Sequence, residues 1–188
     1  EGNELWSYSV LKTNFNLKNS ISWKNNNQIS VKISDLEKNL KYKVYTIFNG
    51  RMYTDRVHDT AVLLDNKIID GPSFQLRDNF NSPAIDNIVF EKGTPRKLIK
   101  LKGSVLLMLT GGGGNSNYWH WLYDVLPRLK IYENTEKLDQ IDYFLLPSLK
   151  KKFQIETLDL LNVSKKKILS SEKFRHIKAD KLVATDHP

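Results

Sequence analysis

The spacing of apolar residues changes rhythm about halfway along the chain. Lys41 to Phe48 carries β-branched and aromatic residues in near alternation, the period of a strand with one buried face, and Asn49-Gly50 follows at once. That pair predicts a tight hairpin turn, with the partner strand running through Arg51 to Val57. Ala61 to Leu64 and Lys67 to Ile69 repeat the pattern around a turn-like Asp65-Asn66, until Gly71-Pro72 breaks it. Upstream, Gly2 to about Leu40 is rich in Asn, Ser and Lys with isolated Trp6, Tyr8 and Trp23, which predicts irregular structure with short strands. Residues 1–96 therefore read as a β-rich N-terminal segment.

Beyond Lys97, strands alternate with longer amphipathic runs. Ser104 to Thr110 is short and nearly all apolar, as suits the buried centre of a parallel sheet. Asn117 to about Tyr132 predicts a helix, Ile141 to Leu146 a strand and Lys151 to Leu161 a second helix, with further strands at Ile168-Leu169 and Lys181 to Ala184. This β-α-β-α-β order over residues 97–188 predicts a doubly wound α/β sheet, whose ligands bind at the carboxyl ends of its strands.

Four consecutive glycines, Gly111 to Gly114, leave the first of these strands and lead through Asn115 and Ser116 to Asn117. Glycine loses more conformational freedom on folding than any other residue. A run of four therefore predicts positive φ angles, or a close approach of backbone to a ligand with amides free for an anion at a helix start. The run lacks the G-K-[ST] ending of a Walker loop, and Ser116 stands where the third glycine of G-x-G-x-x-G would be. Taken alone it reads equally as a flexible connection.

The helix after it weighs toward a site. At about 100° per residue, Asn117, His120, Asp124 and Arg128 fall within an arc of roughly 80° and form one polar stripe. Tyr118, Leu122, Val125, Leu126 and Leu129 lie opposite, with Trp119 beyond them and Trp121 at the stripe's edge, so the helix is suited to burial with its stripe facing a cleft. His120 and Asp124, four residues apart, can touch, and the carboxylate would orient the imidazole as a general base. A solvated face or a structural His-Asp pair is the plainer reading; the glycine run immediately before the stripe favours a site. Pro127 would clash with the carbonyl of Tyr123, so the helix is expected to bend or end its first segment there.

Composition narrows the chemistry. The 188 residues include no cysteine, which excludes disulfides, thiolate metal sites and cysteine nucleophiles. The four histidines, His58, His120, His176 and His187, show no paired spacing, so no metal is expected, and His58 and His176 in strand-like surroundings read as structural. With 40% hydrophobic and 27% charged residues and no run of roughly 18 apolar positions, the chain reads as a globular protein without a membrane span. A net charge of +8 favours anionic partners such as nucleotide sugars or phospholipid surfaces, which admits peripheral membrane association. The lysines fall in short runs, Lys150 to Lys152 and Lys165 to Lys167, without interleaved aromatics, so nucleic acid is not an expected partner. Glu1 to Tyr8 lacks the basic start and apolar stretch of a secretory signal, which fits a cytoplasmic location or a chain that begins after processing.

The segment Tyr118-Trp119-His120-Trp121-Leu122-Tyr123-Asp124-Val125-Leu126-Pro127-Arg128-Leu129 resembles the Y-x-H-W-x-x-D-x-L-P-R-L signature of glycosyltransferase family 61, bacterial members of which are described as capsular polysaccharide biosynthesis proteins. The likeness extends from about Tyr45 to Pro188: Asp142 to Pro147 looks like the strand that follows, and Phe153 to Leu161 like the next helix. The resemblance implies a GT-B architecture of two Rossmann-like domains, residues 97–188 forming the acceptor-side one. It implies inverting transfer of a hexosyl or pentosyl group from a nucleotide sugar to a glycan or other hydroxyl acceptor, with no cofactor and no essential metal. The donor-binding C-terminal domain is then expected beyond Pro188, and the chain is half an enzyme. His120 oriented by Asp124 is the expected base, the alternative being Asp124 as base with His120 donating a hydrogen bond. Gly111, Gly112, Gly113, Gly114, Asn115 and Asn117 would line the substrate cleft, and Arg128 would offset phosphate charge or salt-bridge locally. The rival reading is a noncatalytic carbohydrate- or nucleotide-binding module.

Overall fold

A computed structural model describes residues 21–36, 40–75, 87, 89, 96–110 and 113–188. They build a mixed α/β fold dominated by one ten-stranded sheet with few helices. The first six strands are β1 (Ile29–Leu36), β2 (Leu40–Phe48), β3 (Arg51–Thr54), β4 (Asp59–Leu64), β5 (Lys67–Ile68) and β6 (Phe74–Gln75). The last four are β7 (Ile99–Leu107), β8 (Tyr143–Leu146), β9 (Ile168–Ser170) and β10 (His176–Thr185). These four run parallel in the order β9-β8-β7-β10, so the chain steps outward from β7 to β9 and then returns to the far side of β7. The order reverses between β7 and β10, and a crevice opens at the carboxyl ends of strands at such a point.

β10 joins this parallel part to the antiparallel one. Its first residues pair with β3, His176 opposite Tyr53, and its later ones with β2, Leu182 opposite Ile47. Asn49-Gly50 is therefore not the expected hairpin turn: β2 and β3 lie end to end along one edge of β10. Asn49 sits at φ 56° with its N–H donating to the Asp180 carbonyl at 2.9 Å, and the Gly50 carbonyl accepts from Ala179 N–H at 3.0 Å. The pair kinks one long strand. Asn-Gly signals a positive φ, and a positive φ serves an irregular strand as well as a turn. Asp65-Asn66 does make the expected hairpin, both residues at positive φ (47° and 62°) between β4 and β5 as a type I′ turn requires. The stretch expected to be irregular before Leu40 contains β1, paired antiparallel along its whole length with β2.

The helices pack on one face of the sheet. Leu106, Met108, Phe144, Leu146 and Val183 meet Trp121, Val125, Leu129, Tyr132 and Leu158 there. A doubly wound sheet would carry helices on its second face too. Here the alternate residues Leu107, Leu109, Leu145, Ile177 and Leu182 instead pack against Tyr45, Ile47, Met52, Val62 and Leu64 of the antiparallel strands. The sheet curls over and covers its own second face, so the β-rich and α/β segments share one sheet and one core. Arg56 on the β3–β4 turn closes the curl, donating to the Pro147 carbonyl (3.2 Å) and Ser171 Oγ (3.1 Å) at the ends of β8 and β9. On the helical side Glu136 accepts from Lys32 (2.8 Å), Lys181 (3.0 Å) and the Tyr132 hydroxyl (2.9 Å), tying β1 and β10 to the helix layer. Burial alone would raise the Glu136 carboxyl, but these three donors bring it down to about 2. Among the described residues no helix is long and apolar enough to cross a membrane.

Candidate functional site

β7 leads directly into the site. Met108, Leu109 and Thr110 extend it, all buried; Gly111 and Gly112, which follow, lie outside the described residues. Neither Gly113 nor Gly114 is at positive φ. What these two require is space: a Cβ on Gly113 would stand 2.7 Å from Cγ and Cδ2 of His120, and one on Gly114 2.7 Å from Val125 Cγ2 and 3.0 Å from Pro147 Cγ. At both positions the close approach is to the protein's own side chains. The carbonyls of Gly114 and Asn115 accept from Nε2 of the fully buried Gln154 at 3.1 and 3.3 Å. Gln154 belongs to the helix Lys152–Leu160, and its Oε1 takes the Lys151 N–H at 3.0 Å. The Asn115 side chain donates to the Arg56 carbonyl at 2.6 Å and accepts from its guanidinium at 3.4 Å. Gly114 and Asn115 thus anchor the loop to that helix and to the β3–β4 turn.

Asn117 is exposed and caps the next helix, its Oδ1 accepting the Trp119 N–H at 2.9 Å. This helix has three parts: α1 (Tyr118–His120), a π-helical turn (Trp121–Val125) and α2 (Pro127–Glu133); the helix Lys152–Leu160 is α3. The Leu126 N–H bonds to the Trp121 carbonyl at 3.1 Å and closes the wider turn. Pro127, with no N–H to give, falls at the start of α2, where none is needed. The expected break before Pro127 is thus a change of helix type. Burial along the helix departs from the even angular projection in two places. Trp121, projected at the edge of the polar stripe, is fully buried with Nε1 donating to Thr157 Oγ1 at 2.8 Å, whereas Tyr118, projected on the apolar side, is exposed.

The His120–Asp124 pair survives this change. Nδ1 lies 2.6 Å from Asp124 Oδ2, with the side chains 35% and 17% exposed. A carboxylate only accepts, so the proton sits on Nδ1 and Nε2 is the nitrogen able to take another. Arg128 is buried and turned inward, away from the role of cleft lining. Its Nε donates to the Asp124 carbonyl at 2.9 Å and Nη1 to Thr185 Oγ1 of β10 at 2.9 Å; Nη2 has no hydrogen-bond partner among the described residues. Burial pushes its pKa down to about 10 against the pull of Asp124 and Asp186, so it stays charged at neutral pH, with its hydrogen bonds going to the Asp124 carbonyl and to Thr185.

Two further residues enter the site that their sequence surroundings do not mark. Asp186 and His187 leave the carboxyl end of β10, beside that of β7. Asp186 accepts the Tyr45 hydroxyl at 2.8 Å and the Lys43 N–H at 2.7 Å. Burial lowers the His187 pKa, with Arg128 and His120 adding to the effect and Asp124 opposing it. Only knowing that β10 lies against β7 would have pointed to it. The remaining histidines have structural surroundings. His58 pairs with Asp55 at 3.1 Å on the β3–β4 turn, and His176, fully buried, donates from Nδ1 to the Arg96 carbonyl at 2.9 Å. Burial, with Arg51 adding and the Arg96 bond resisting, lowers His176 to about 4. Among the described residues no group of three or more His, Asp or Glu side chains is gathered for a metal.

The arrangement suits proton removal from a hydroxyl: Nε2 as acceptor, Asp124 stabilising the imidazolium that forms, Gly113 confining the ring. No known protein family, curated protein or solved structure matches the chain.

Proposed function

We propose that the chain is the acceptor-side part of an inverting, nucleotide-sugar-dependent glycosyltransferase of polysaccharide or glycan biosynthesis, with residues 97–188 as the Rossmann-like domain of a GT-B enzyme. The observation that carries this reading is the 2.6 Å His120–Asp124 contact at the end of the sheet where the strand order reverses. In the proposed reaction the acceptor oxygen attacks the anomeric carbon and gives its proton to His120 Nε2. The bond from that carbon to the nucleoside diphosphate breaks on the opposite side, so the configuration inverts. Asp124 orients the ring and balances its charge. One placement supports the acceptor side in particular: Arg128 is buried against Thr185, so its charge is not presented to a phosphate at the surface. In this reading the donor-binding domain that the family 61 resemblance implies supplies the phosphate contacts. The resemblance of residues 118–129 to the family 61 signature supports the same reading.

The test is release of nucleoside diphosphate from a panel of nucleotide sugars by the protein extended through that domain. His120→Ala is expected to lower kcat by about a hundredfold or more with little change in acceptor KM, the range of a lost general base. Turnover unchanged in His120→Ala would remove the base, and with it the reading of this chain as part of the catalytic machinery.

A further inference from the structure

Beside His120 the helix carries aromatic rings that the fold leaves in solvent. Trp119 is 63% and Tyr123 53% exposed, and their rings stack with centroids 4.2 Å apart at 31°. Each directly precedes a member of the His-Asp pair, so the two rings and the two polar groups form neighbouring rows along the same two turns. The other aromatics here have partners of their own: Trp121 is buried on Thr157, and Tyr118, also exposed, meets Phe153 edge-on at 5.0 Å. Leaving Trp119 and Tyr123 out forgoes burial of about 150–250 Å² for each. Because the rings already hold one another, a ligand docking on them immobilises little that was free.

We propose that Trp119 and Tyr123 form a stacking platform for a pyranose ring of the acceptor, setting its hydroxyl against His120; this rests on the transferase reading of the His120–Asp124 pair. An aromatic face is electron-rich and apolar, matching the C–H face of a pyranose, while the sugar's edge presents hydroxyls to His120 and Asp124. Charge argues against the other ligands that exposed aromatics commonly meet. The chain has no lysine or arginine from Gly103 to Pro127, and Arg128 is buried. The segment itself therefore supplies no cation for a nucleotide's phosphates or an anionic lipid headgroup, and Arg56, beside Asn115, is engaged by Ser171, the Pro147 carbonyl and Glu172.

The experiment follows the indole N–H signal of Trp119 by NMR in the 188-residue chain. The probes are neutral disaccharides of glucose, galactose, xylose and N-acetylglucosamine, then uridine diphosphate, then vesicles of phosphatidylcholine with phosphatidylglycerol. At least one disaccharide is expected to shift the signal. By calorimetry its binding should weaken about tenfold in Trp119→Ala and stay within about threefold in Trp119→Phe. No shift with any disaccharide, undiminished binding by a folded Trp119→Ala, or a response to the nucleotide or vesicles alone would overturn the platform. Turnover separates it from the reading beneath it. Wild-type acceptor KM in Trp119→Ala, with activity still lost in His120→Ala, sinks the platform and keeps the transferase. Trp119-dependent sugar binding with turnover indifferent to His120 keeps a sugar site and sinks its delivery to a base.

Discussion

Gly113 offers a direct way to disturb the imidazole without touching the pair itself. In Gly113→Ala the new methyl would lie 2.7 Å from Cγ and Cδ2 of His120, where carbon atoms normally rest about 3.5–4.0 Å apart. The ring or the loop must yield by about 1 Å. If the ring yields, the 2.6 Å bond to Asp124 lengthens to about 3.5 Å, beyond useful hydrogen-bond range. A bond to a charged acceptor contributes about 1.5–3 kcal/mol, and a half-exposed pair belongs at the low end. Against this, Gly→Ala stiffens the unfolded chain by about 0.4–1 kcal/mol, and Gly113 is not at a positive φ that would strain alanine. The net loss is about 1 kcal/mol, or a Tm about 2–4 °C lower for a chain of this size. Melting alone is therefore a weak assay. The better one is the low-field proton on His120 Nδ1, resolved in imidazole 1H–15N spectra, which should move upfield or vanish. Gly114→Ala is the control: its methyl meets Val125 and Pro147, so it should cost about 1–3 kcal/mol by overpacking yet leave the His120 proton in place. A His120 signal unchanged in Gly113→Ala, or lost only in Gly114→Ala, would refute the loop geometry.

Stability should fall with acid in two steps. His176 binds its proton at about 4 in the fold and about 6.5 when unfolded, so its contribution is complete above about pH 6.5. About 3 kcal/mol of it is lost as the pH falls to 4. Glu136, held at about 2, contributes above its ordinary carboxylate pKa and loses that contribution as the pH falls toward 2. Urea unfolding across this range reads both, and His176→Gln, which can still donate to the Arg96 carbonyl, should flatten the first step. Thr157→Val should cost about 1–3 kcal/mol by stranding the buried Trp121 indole. A double-mutant cycle with Trp121→Phe should return a coupling of about 1 kcal/mol; additive effects would deny the bond. Gly50→Ala should destabilise by about 1–3 kcal/mol, because its Cβ would lie 2.8 Å from Leu182 Cβ of β10. A neutral result by thermal melting would contradict the end-to-end placement of β2 and β3.

What the sequence made legible is what depends on near neighbours along the chain. Strand positions at Lys41–Phe48, Ala61–Leu64 and Ile141–Leu146 follow from local period, and Asp65-Asn66 makes the turn its residue types favour. The same types at Asn49-Gly50 were misleading, since a positive φ says how the backbone bends and not which strand it then joins. β10 decides that, from well over a hundred residues away. The helix layer was legible as helices, but not as a single layer. Curling of the antiparallel strands over the second face is a property of the whole sheet, with no counterpart in any one segment's pattern.

The site divides along the same line. His120 and Asp124 touch because four residues bring side chains together in one turn, and a π-helical widening just beyond His120 does not separate them. Trp121, at the edge of the stripe, is buried because α3 packs on that edge, with Thr157 accepting its indole N–H, and a projection of one helix does not show where its neighbour lies. Arg128 belongs to the near-neighbour class through Asp124 and to the distant one through Thr185. Only the second contact, with a strand of the sheet beneath the helix layer, accounts for its burial. His187 lies wholly in the distant class: it follows β10, which the pairing of Ile177 with Ile99 carries alongside β7 to the same end of the sheet. Parallel strand pairing thus decides which residues of a distant strand arrive at the end of the sheet where the helix begins, and no local pattern can announce them.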